Sequence, residues 1–337
     1  MKDLYLTLPP FAPDYGGACE AMYELGGLTL IHDASGCTVN YVSFDEPRFH
    51  EKPGMVYCSG LTEIDAVMGN DEVLIEKAIR ASQELHPNFI AFIGSSVPMI
   101  VGTDFTGIAK ETEERTGIPC FGFDTNGIRS YIEGASDVLY ALLDRFAYEK
   151  TENKGTLLLG LLPLDDNRTS TSRNIRKMFP DLRSSLSFHC KFSDLSDAQN
   201  AERCVVVSAS GLKAAELLNE RYGIPYSIGL PLQEVDKPHG STLIIGEDVR
   251  AFSLAKALKN ADALDLFSKE GLAKYHTADE ETIKAIASSY DNVIGDPVFR
   301  SLTNKNFISL PTVSVSGGIF EDEVSPLDTE KIAEMLI

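Results

Sequence analysis

Short apolar runs alternate with amphipathic helical stretches along this chain, and this pattern constrains its fold more than any other feature. The apolar run at residues 89–94 ("FIAFIG") is followed by a helical pattern at 105–117, a second apolar run at 118–124 and a long helical stretch at 128–146. Strands that are apolar throughout are typical of parallel sheets covered by helices on both faces. The alternation therefore predicts an α/β fold.

The alternation restarts twice, each time after a polar segment. These segments are residues 149–155 ("EKTENKG") and 233–240 ("QEVDKPHG"). A chain of 337 residues is long enough for two or three modules. We therefore predict three related α/β modules with parallel sheets: 1–150, which carries the clustered cysteines, 151–238 and 239–337.

Each predicted strand ends in a loop of small or acidic residues. Doubly wound sheets bind ligands at the carboxyl ends of their strands, which predicts a substrate cleft between the modules. Any single loop is also explained by a tight turn, and an N-cap role is the simpler interpretation of two of the serines. The candidate cleft residues are His32, Ser95, Ser96, Ser208 and Ser210.

Charge and segment patterns limit the function classes. A formal net charge of −20 argues against nucleic acid or an anionic membrane as the main partner. The sequence shows neither the layout of a signal peptide nor an apolar run of about 18 residues, so we expect a cytoplasmic protein. It also lacks the GxxxxGK[ST] and GxGxxG motifs, which argues against a phosphate-loop ATP site.

Three of the six cysteines fall within the first sixty residues. Cys19 and Cys37 lie in two predicted loops that bracket a strand, in Gly-rich surroundings that include Gly17 and Gly36, and Cys58 follows the next strand. Glycine lets a backbone approach a cluster, its N–H groups can bond to the sulfurs, and thiolates are the ligands. Three inert buried cysteines would give the same spacing. From the residues alone, an iron–sulfur site and core thiols both stay open.

Several segments resemble the nitrogenase component 1 type oxidoreductases. Residues 27–41 ("GLTLIHDASGCTVNY") resemble the HGPxGC segment, whose cysteine binds an iron–sulfur cluster in that family. Residues 58–79 ("CSGLTEIDAVMGNDEVLIEKAI") resemble its S-x-x-x-E-x-D-x-V-x-G-G-x-x-x-L element. The order of later segments, at 87–127, 205–226 and 292–302, also matches. The resemblance covers nearly the whole chain and implies three Rossmann-like domains.

One departure from the family concerns the cluster ligands. Val97 stands where the family has its third cluster cysteine, and valine cannot bind iron. The resemblance then implies that Cys58 replaces that ligand, that Asp33 contributes a carboxylate, or that the cluster, of the 4Fe–4S type, is shared across a dimer. The predicted metal ligands are Cys19, Cys37 and Cys58, and the surrounding cofactor-binding residues are Gly17, Gly36 and Asp33.

A second departure concerns the large catalytic cofactor of nitrogenase. Ser208 occupies the position of its cysteine ligand, and no histidine follows His276, so no molybdenum–iron cofactor is expected. The resemblance implies an electron-relay protein that takes electrons from an ATP-dependent iron-protein partner and reduces a small molecule. It would work as a homodimer or a paralogue heterodimer. A scaffold for metal-cofactor assembly and a metal-free small-molecule binding protein are the alternatives.

Overall fold

The structure, a computed structural model, describes residues 7–235, 240–320 and 324–337. Its N-terminal part builds a four-stranded parallel sheet with helices on both sides. This part contains α1 (Asp14–Met22), β1 (Leu28–Ile31), α2 (Gly36–Asn40), β2 (Val56–Cys58), α3 (Glu63–Met68), α4 (Asp71–Leu85), β3 (Ile90–Ile93), α5 (Ser96–Val101), α6 (Phe105–Thr116), β4 (Cys120–Phe123) and α7 (Tyr131–Phe146).

Two further sheets follow along the chain. The second is built with β5 (Thr156–Leu159), α8 (Thr169–Lys177), β6 (Leu182–Ser185), α9 (Phe192–Leu195), β7 (Arg203–Val206), α10 (Leu212–Tyr222) and β8 (Tyr226–Ile228). The third is built with β9 (Thr242–Gly246), α11 (Asp248–Leu258), β10 (Ala261–Asp265), β11 (Tyr275–His276), α12 (Glu280–Ala287), β12 (Asn292–Gly295), β13 (Asn306–Ser309), α13 (Val313–Ser316) and α14 (Thr329–Glu334). The predicted module boundary at residues 238–239 lies outside the described residues.

All paired strands run parallel, which confirms the predicted fold class. The strand orders are β2-β1-β3-β4, β6-β5-β7-β8 and β11-β10-β9-β12-β13. Each order reverses at one point, namely between β1 and β3, between β5 and β7, and between β9 and β12. Ligands of open α/β sheets bind at such switch points because the connections diverge there and leave a crevice.

The segment around Cys19, which the sequence suggested to be a loop, is the helix α1. Every residue of α1 is buried. Gly17 and Gly134 let α1 and α7 approach closely, since an added Cβ would lie 2.0 Å from the carbonyl oxygen of Tyr131 and 1.9 Å from that of Asp14 respectively. The glycines that indicated a cluster loop therefore serve helix packing here.

Helix α7 begins at Tyr131, three residues later than predicted. The side-chain oxygen of Asn126 accepts the N–H groups of Ile128 and Arg129 at 2.8 and 3.2 Å. This local turn uses donors that a helix would otherwise leave unpaired, so the helix starts after it.

Arg48 connects the N-terminal part of the chain, which contains the first sheet, to the part that contains the second sheet. Its buried guanidinium contacts both carboxylate oxygens of Glu46 at 2.7 Å and a carboxylate oxygen of Glu24 at 3.1 Å. It also donates to the carbonyl oxygens of Glu20 and Ser187. One buried cation therefore joins elements that are more than a hundred residues apart.

Within the described residues, no helix is both long and apolar enough to cross a membrane.

Candidate functional site

Asp33 organises the loop at the switch point of the first sheet. It follows β1, and its Oδ2 accepts the backbone N–H groups of Ser35 and Cys37, both at 2.9 Å. These N–H groups lie at the start of α2, where a helix has unpaired donors. Cys37 therefore lies in the first turn of α2.

Ser95 closes the same site from the neighbouring strand β3. Its buried hydroxyl donates to the carbonyl oxygen of His32 at 2.9 Å and lies 3.4 Å from Oδ1 of Asp33. The half-buried thiol of Cys37 interacts with Tyr15, Ser95 and Asp33, and burial followed by the charge of Asp33 raises its pKa. Bringing a cation to this thiol would relieve the unfavourable pairing of two negative groups.

Cys58 is the last residue of β2, which pairs with β1, and it contacts the same loop. Its thiol donates to the carbonyl oxygen of Asp33 at 3.1 Å, and the N–H of Gly60 donates to its sulfur at 3.3 Å. Thus Cys37 and Cys58 flank one residue, and each remains partly exposed. Gly60 has a positive φ of 65°. Its hydrogen bond to the sulfur was not predicted from the sequence.

Cys19 lies in a different environment. It is fully buried in α1, and the negatively charged groups that act on it are Glu46 and Asp45. Burial, followed by these two carboxylates, raises the pKa of the Cys19 thiol well above its ordinary value. No group of three His, Cys, Asp or Glu ligand atoms in the described residues joins Cys19, Cys37 and Cys58 within 4.8 Å. The three-cysteine ligand set stays a prediction.

Gly36 and Ser96 lie at the open side of the same region. An added Cβ on Gly36 would meet no atom within 4 Å, so this side of Cys37 has free space. Ser96 is exposed and donates to the carbonyl oxygen of Asn126 at 3.0 Å. His32 points the other way, with its Nδ1 2.8 Å from Oγ of Ser59, and burial lowers its pKa to about 4.

Exposed apolar side chains lie on the helical segments that follow Cys37, Cys58 and β3 in the chain. Helix α3 has no buried residue, and the exposed fractions of Ile64, Val67 and Met68 are 75%, 84% and 74%. Helix α5, which follows the adjacent strand, adds Ile100 at 76%. Val39 follows Cys37 by two residues and is also exposed. We call Val39, Ile64, Val67, Met68 and Ile100 the thiol-flanking surface. An apolar cluster of this kind is typical of a protein–protein contact.

Ser208 and Ser210 lie at the switch point of the second sheet, where they do not cap a helix through their side chains. Their hydroxyls are 3.3 Å apart and buried. Ser208 interacts with Asp165, whose Oδ1 accepts a 2.5 Å hydrogen bond from Tyr131. The expected N-cap role is therefore replaced by contact with a buried carboxylate.

A cavity of about 70 Å³ adjoins Asp165, at the edge shared by the second and third sheets. Asp165, Asp166, Glu247 and Arg250 supply its charged groups, and Thr312 and Ser314 supply hydroxyls. Burial raises the pKa of Asp165 to about 6 and that of Glu247 to about 8. None of the described residues that line this cavity is a cysteine or a histidine.

Asp248, Asp265 and His276 form a further group whose ligand atoms lie within 4.8 Å of one another. The Asp248 carboxylate accepts the N–H groups of Leu272 and Ala273 at 2.9 and 2.7 Å. Asp265 similarly bonds its own following loop. These hydrogen bonds show that the two carboxylates hold the loop that follows β10 in place.

The sequence model of one family, described as nitrogenase component 1 type oxidoreductase, matches residues 16–232, more than half of the chain. The chain belongs to this family.

Curated relatives of this family member include the nitrogenase iron-molybdenum cofactor biosynthesis protein NifE from two organisms. The protein from Sinorhizobium fredii is 27% identical over 180 residues, which cover 51% of this chain and 36% of the relative. The protein from Rhizobium meliloti is 23% identical over 227 residues, which cover 64% and 47%. The chain spans less than half the length of these relatives.

Solved structures of the nitrogenase Cp1 share the fold. One, at pH 6.5, superposes with a TM-score of 0.74 at 12% identity, over 99% of this chain and 93% of that chain. Another, at pH 5, has a TM-score of 0.63 at 15% identity over 82% and 68%. The nitrogenase component 1 fold, predicted from the sequence, is thereby confirmed.

Proposed function

We propose that this family member is a scaffold or carrier on which a metal cofactor is assembled, and that it holds an iron–sulfur species between two copies of the chain. The observation that carries the proposal is that two partly exposed cysteines, Cys37 and Cys58, both hydrogen-bond to Asp33 at the end of β1. The names of the relatives, which are cofactor biosynthesis proteins, favour this interpretation over the electron-relay reductase to which the sequence alone gave first place.

The residues fit a shared cluster better than a cluster within one chain. A four-iron cluster is held by four thiolates, whereas Cys37 and Cys58 supply two. Val97, at the position of a family ligand, is 44% exposed and adds no donor atom. A twofold axis through this surface would bring two such pairs together. When bound, the cluster would supply the redox-active or transferable iron and sulfide.

The chain's own residues prepare this position. Asp33 fixes the backbone of Cys37, and Gly60 directs an N–H at the sulfur of Cys58. Hydrogen bonds to cluster sulfurs and exclusion of solvent are two means by which a protein tunes such a site. The thiol-flanking surface would exclude water when it is covered by the second copy.

The test is iron and acid-labile sulfide content after anaerobic reconstitution, combined with sedimentation velocity. Wild type should hold about four irons per dimer. Cys37→Ala and Cys58→Ala should each lose most of the iron, whereas Cys120→Ala should retain it, because Cys120 lies in β4. A wild-type protein without iron after reconstitution would reject the proposal.

A second measurement separates a scaffold from an electron relay. Protein loaded with ⁵⁷Fe is mixed with an iron-depleted iron–sulfur acceptor protein, and the label is followed by Mössbauer spectroscopy after the two are separated. A scaffold transfers the label to the acceptor. An electron relay keeps its label, and its cluster is reoxidised by substrate in the presence of an ATP-dependent iron-protein reductase.

A further inference from the structure

We infer that the cavity between the second and third sheets is a binding site for a small oxyanion, a carboxylate or phosphate, whose oxygens are held by the free edge of Arg250. This inference does not depend on the proposed cluster, because the cavity is formed by other residues. The family's large metal cofactor does not fit here, since the cavity lacks thiol and imidazole ligands in its described lining.

Arg250 uses only part of its hydrogen-bonding capacity. Its Nη1 donates to Oδ1 of Asp166 at 3.1 Å. Its Nε and Nη2 are buried and have no hydrogen-bond partner. These two nitrogens lie on the same edge of the planar guanidinium, the edge that binds two oxygens of a carboxylate or phosphate at once.

An unpaired acceptor faces this unpaired edge. Oδ2 of Asp165 is buried without a hydrogen-bond partner, and it lies 4.0 Å from Nη2 of Arg250. The two groups are too far apart to bond directly, although both line the cavity. Leaving buried donors unpaired is costly, so an oxyanion that accepts from Nε and Nη2 of Arg250 is stabilised in this cavity.

The charges of the cavity tolerate an anion. Asp166 is neutralised by Arg250 and also accepts a hydrogen bond from Ser172. Burial raises the pKa of Glu247 to about 8, so this carboxyl is mostly uncharged at neutral pH, and it raises the pKa of Asp165 to about 6, so Asp165 is mostly protonated only below about pH 6. A protonated Asp165 would donate from Oδ2 to a ligand oxygen.

The volume and position limit the size of the ligand. A cavity of about 70 Å³ has the room of roughly two water molecules in the liquid, well below the volume of about 300 Å³ at which sites for drug-sized ligands begin. Gly246 and Gly295 end β9 and β12 at this cavity, so it lies at the switch point of the third sheet. A single carboxylate or phosphate group fits this space.

The test is isothermal titration calorimetry of the metal-free 337-residue chain with inorganic phosphate and, in separate runs, with acetate. Arg250→Lys keeps the charge beside Asp166 and removes the two-pronged edge, so affinity should fall at least tenfold. Gly246→Val should abolish binding by filling the cavity, since a Cβ there meets only Ala251 Cβ at 3.9 Å. Arg221→Gln, on the surface of α10, is the matched control and should bind like wild type.

Circular dichroism and thermal unfolding establish that each variant is folded. If Arg250→Lys does not fold, Gly246→Val alone decides the matter, because it leaves every charged group in place. Preference for one probe identifies the source of the oxyanion. Failure of both probes to bind to wild type, or unchanged binding in the folded variants, would overturn the inference. Because no iron is present, this result is independent of the iron measurement on Cys37→Ala.

Discussion

The carboxylate of Asp33 accepts the backbone N–H of Cys37 at 2.9 Å, and this bond places the thiol at the switch point of the first sheet. The carbonyl oxygen of Asp33 also accepts a hydrogen bond from the thiol of Cys58. A short loop therefore uses one residue's side chain and main chain to position two sulfurs. This arrangement explains why the apolar run of β1 ends in His32 and Asp33, where a hydrophobic continuation would offer no acceptor.

Replacing Asp33 should affect both stability and iron retention. Asp33→Ala removes the acceptor for two N–H groups, which should lower the free energy of unfolding by about 1–2 kcal/mol and sharply reduce iron retention. Asp104→Ala is the matched control, because Asp104 accepts the N–H of Gly107 at the start of α6, away from the thiols. It should lose similar stability, measured by urea unfolding, and keep its iron. Equal iron loss in both variants would contradict a specific role for Asp33.

The thiol-flanking surface should mediate self-association. Val67→Glu places a charge at an 84% exposed apolar position, and burying that charge in a dimer would be costly. We expect sedimentation velocity to show monomers for this variant and dimers for wild type. Tyr148→Glu, at a residue that is 63% exposed beyond α7, should remain dimeric. A wild-type monomer under reconstituting conditions would argue against the shared cluster.

The sequence predicted the fold well because the parallel strands are apolar throughout and each is followed by a helix. It failed at α1, where Gly16 and Gly17 have the appearance of a loop. The reason is tertiary, since Gly17 is required by the nearby backbone of Tyr131, which is more than a hundred residues away. No local pattern carries that information.

The candidate site was predicted in part. Cys37, Cys58 and Asp33 were identified, and each cysteine makes a hydrogen bond to Asp33, while their joint role as ligands stays a prediction. The charged groups of the cavity beside Asp165 were missed, although residues 163–167 ("PLDDN") form one of the acidic loops that follow a predicted strand. Their significance depends on Arg250, which belongs to the part of the chain with the third sheet. That Nε and Nη2 of Arg250 are unpaired can be recognised only in the structure.

Glycine substitutions should distinguish packing from an open loop. Gly17→Ala would place a methyl group 2.0 Å from the backbone oxygen of Tyr131, and we expect a loss of at least about 2 kcal/mol in unfolding free energy. Gly36→Ala meets nothing within 4 Å and should change stability by less than about 0.5 kcal/mol. Chemical denaturation of the two variants provides the comparison. Comparable losses would show that the α1–α7 contact is looser than described.

Arg48 should contribute more to stability than an exposed arginine with similar partners. Arg48→Leu leaves Glu46 and Glu24 without their buried cation, and the expected loss is about 3–5 kcal/mol. Arg115→Leu removes an exposed pair with Glu72 and should cost no more than about 1 kcal/mol. Thermal unfolding followed by circular dichroism measures both. A small effect at Arg48 would show that the buried ion pairs add little to the free energy of unfolding.

Asp45 should make stability fall as pH rises. Burial, followed by the neighbouring charge of Glu46, raises its pKa from 3.8 to about 7, so the folded protein binds this proton more tightly than the unfolded chain does. The resulting stabilisation is complete below about pH 3.8 and is lost as pH rises through about 7. Asp45→Asn removes this contribution, so unfolding free energy measured from pH 5 to pH 8 should decline less than in wild type, by up to about 3 kcal/mol. Glu216→Gln, at an exposed position on α10, controls for loss of a carboxylate and should keep the wild-type slope. Parallel curves for wild type and Asp45→Asn would show that Asp45 is not the group that retains the proton.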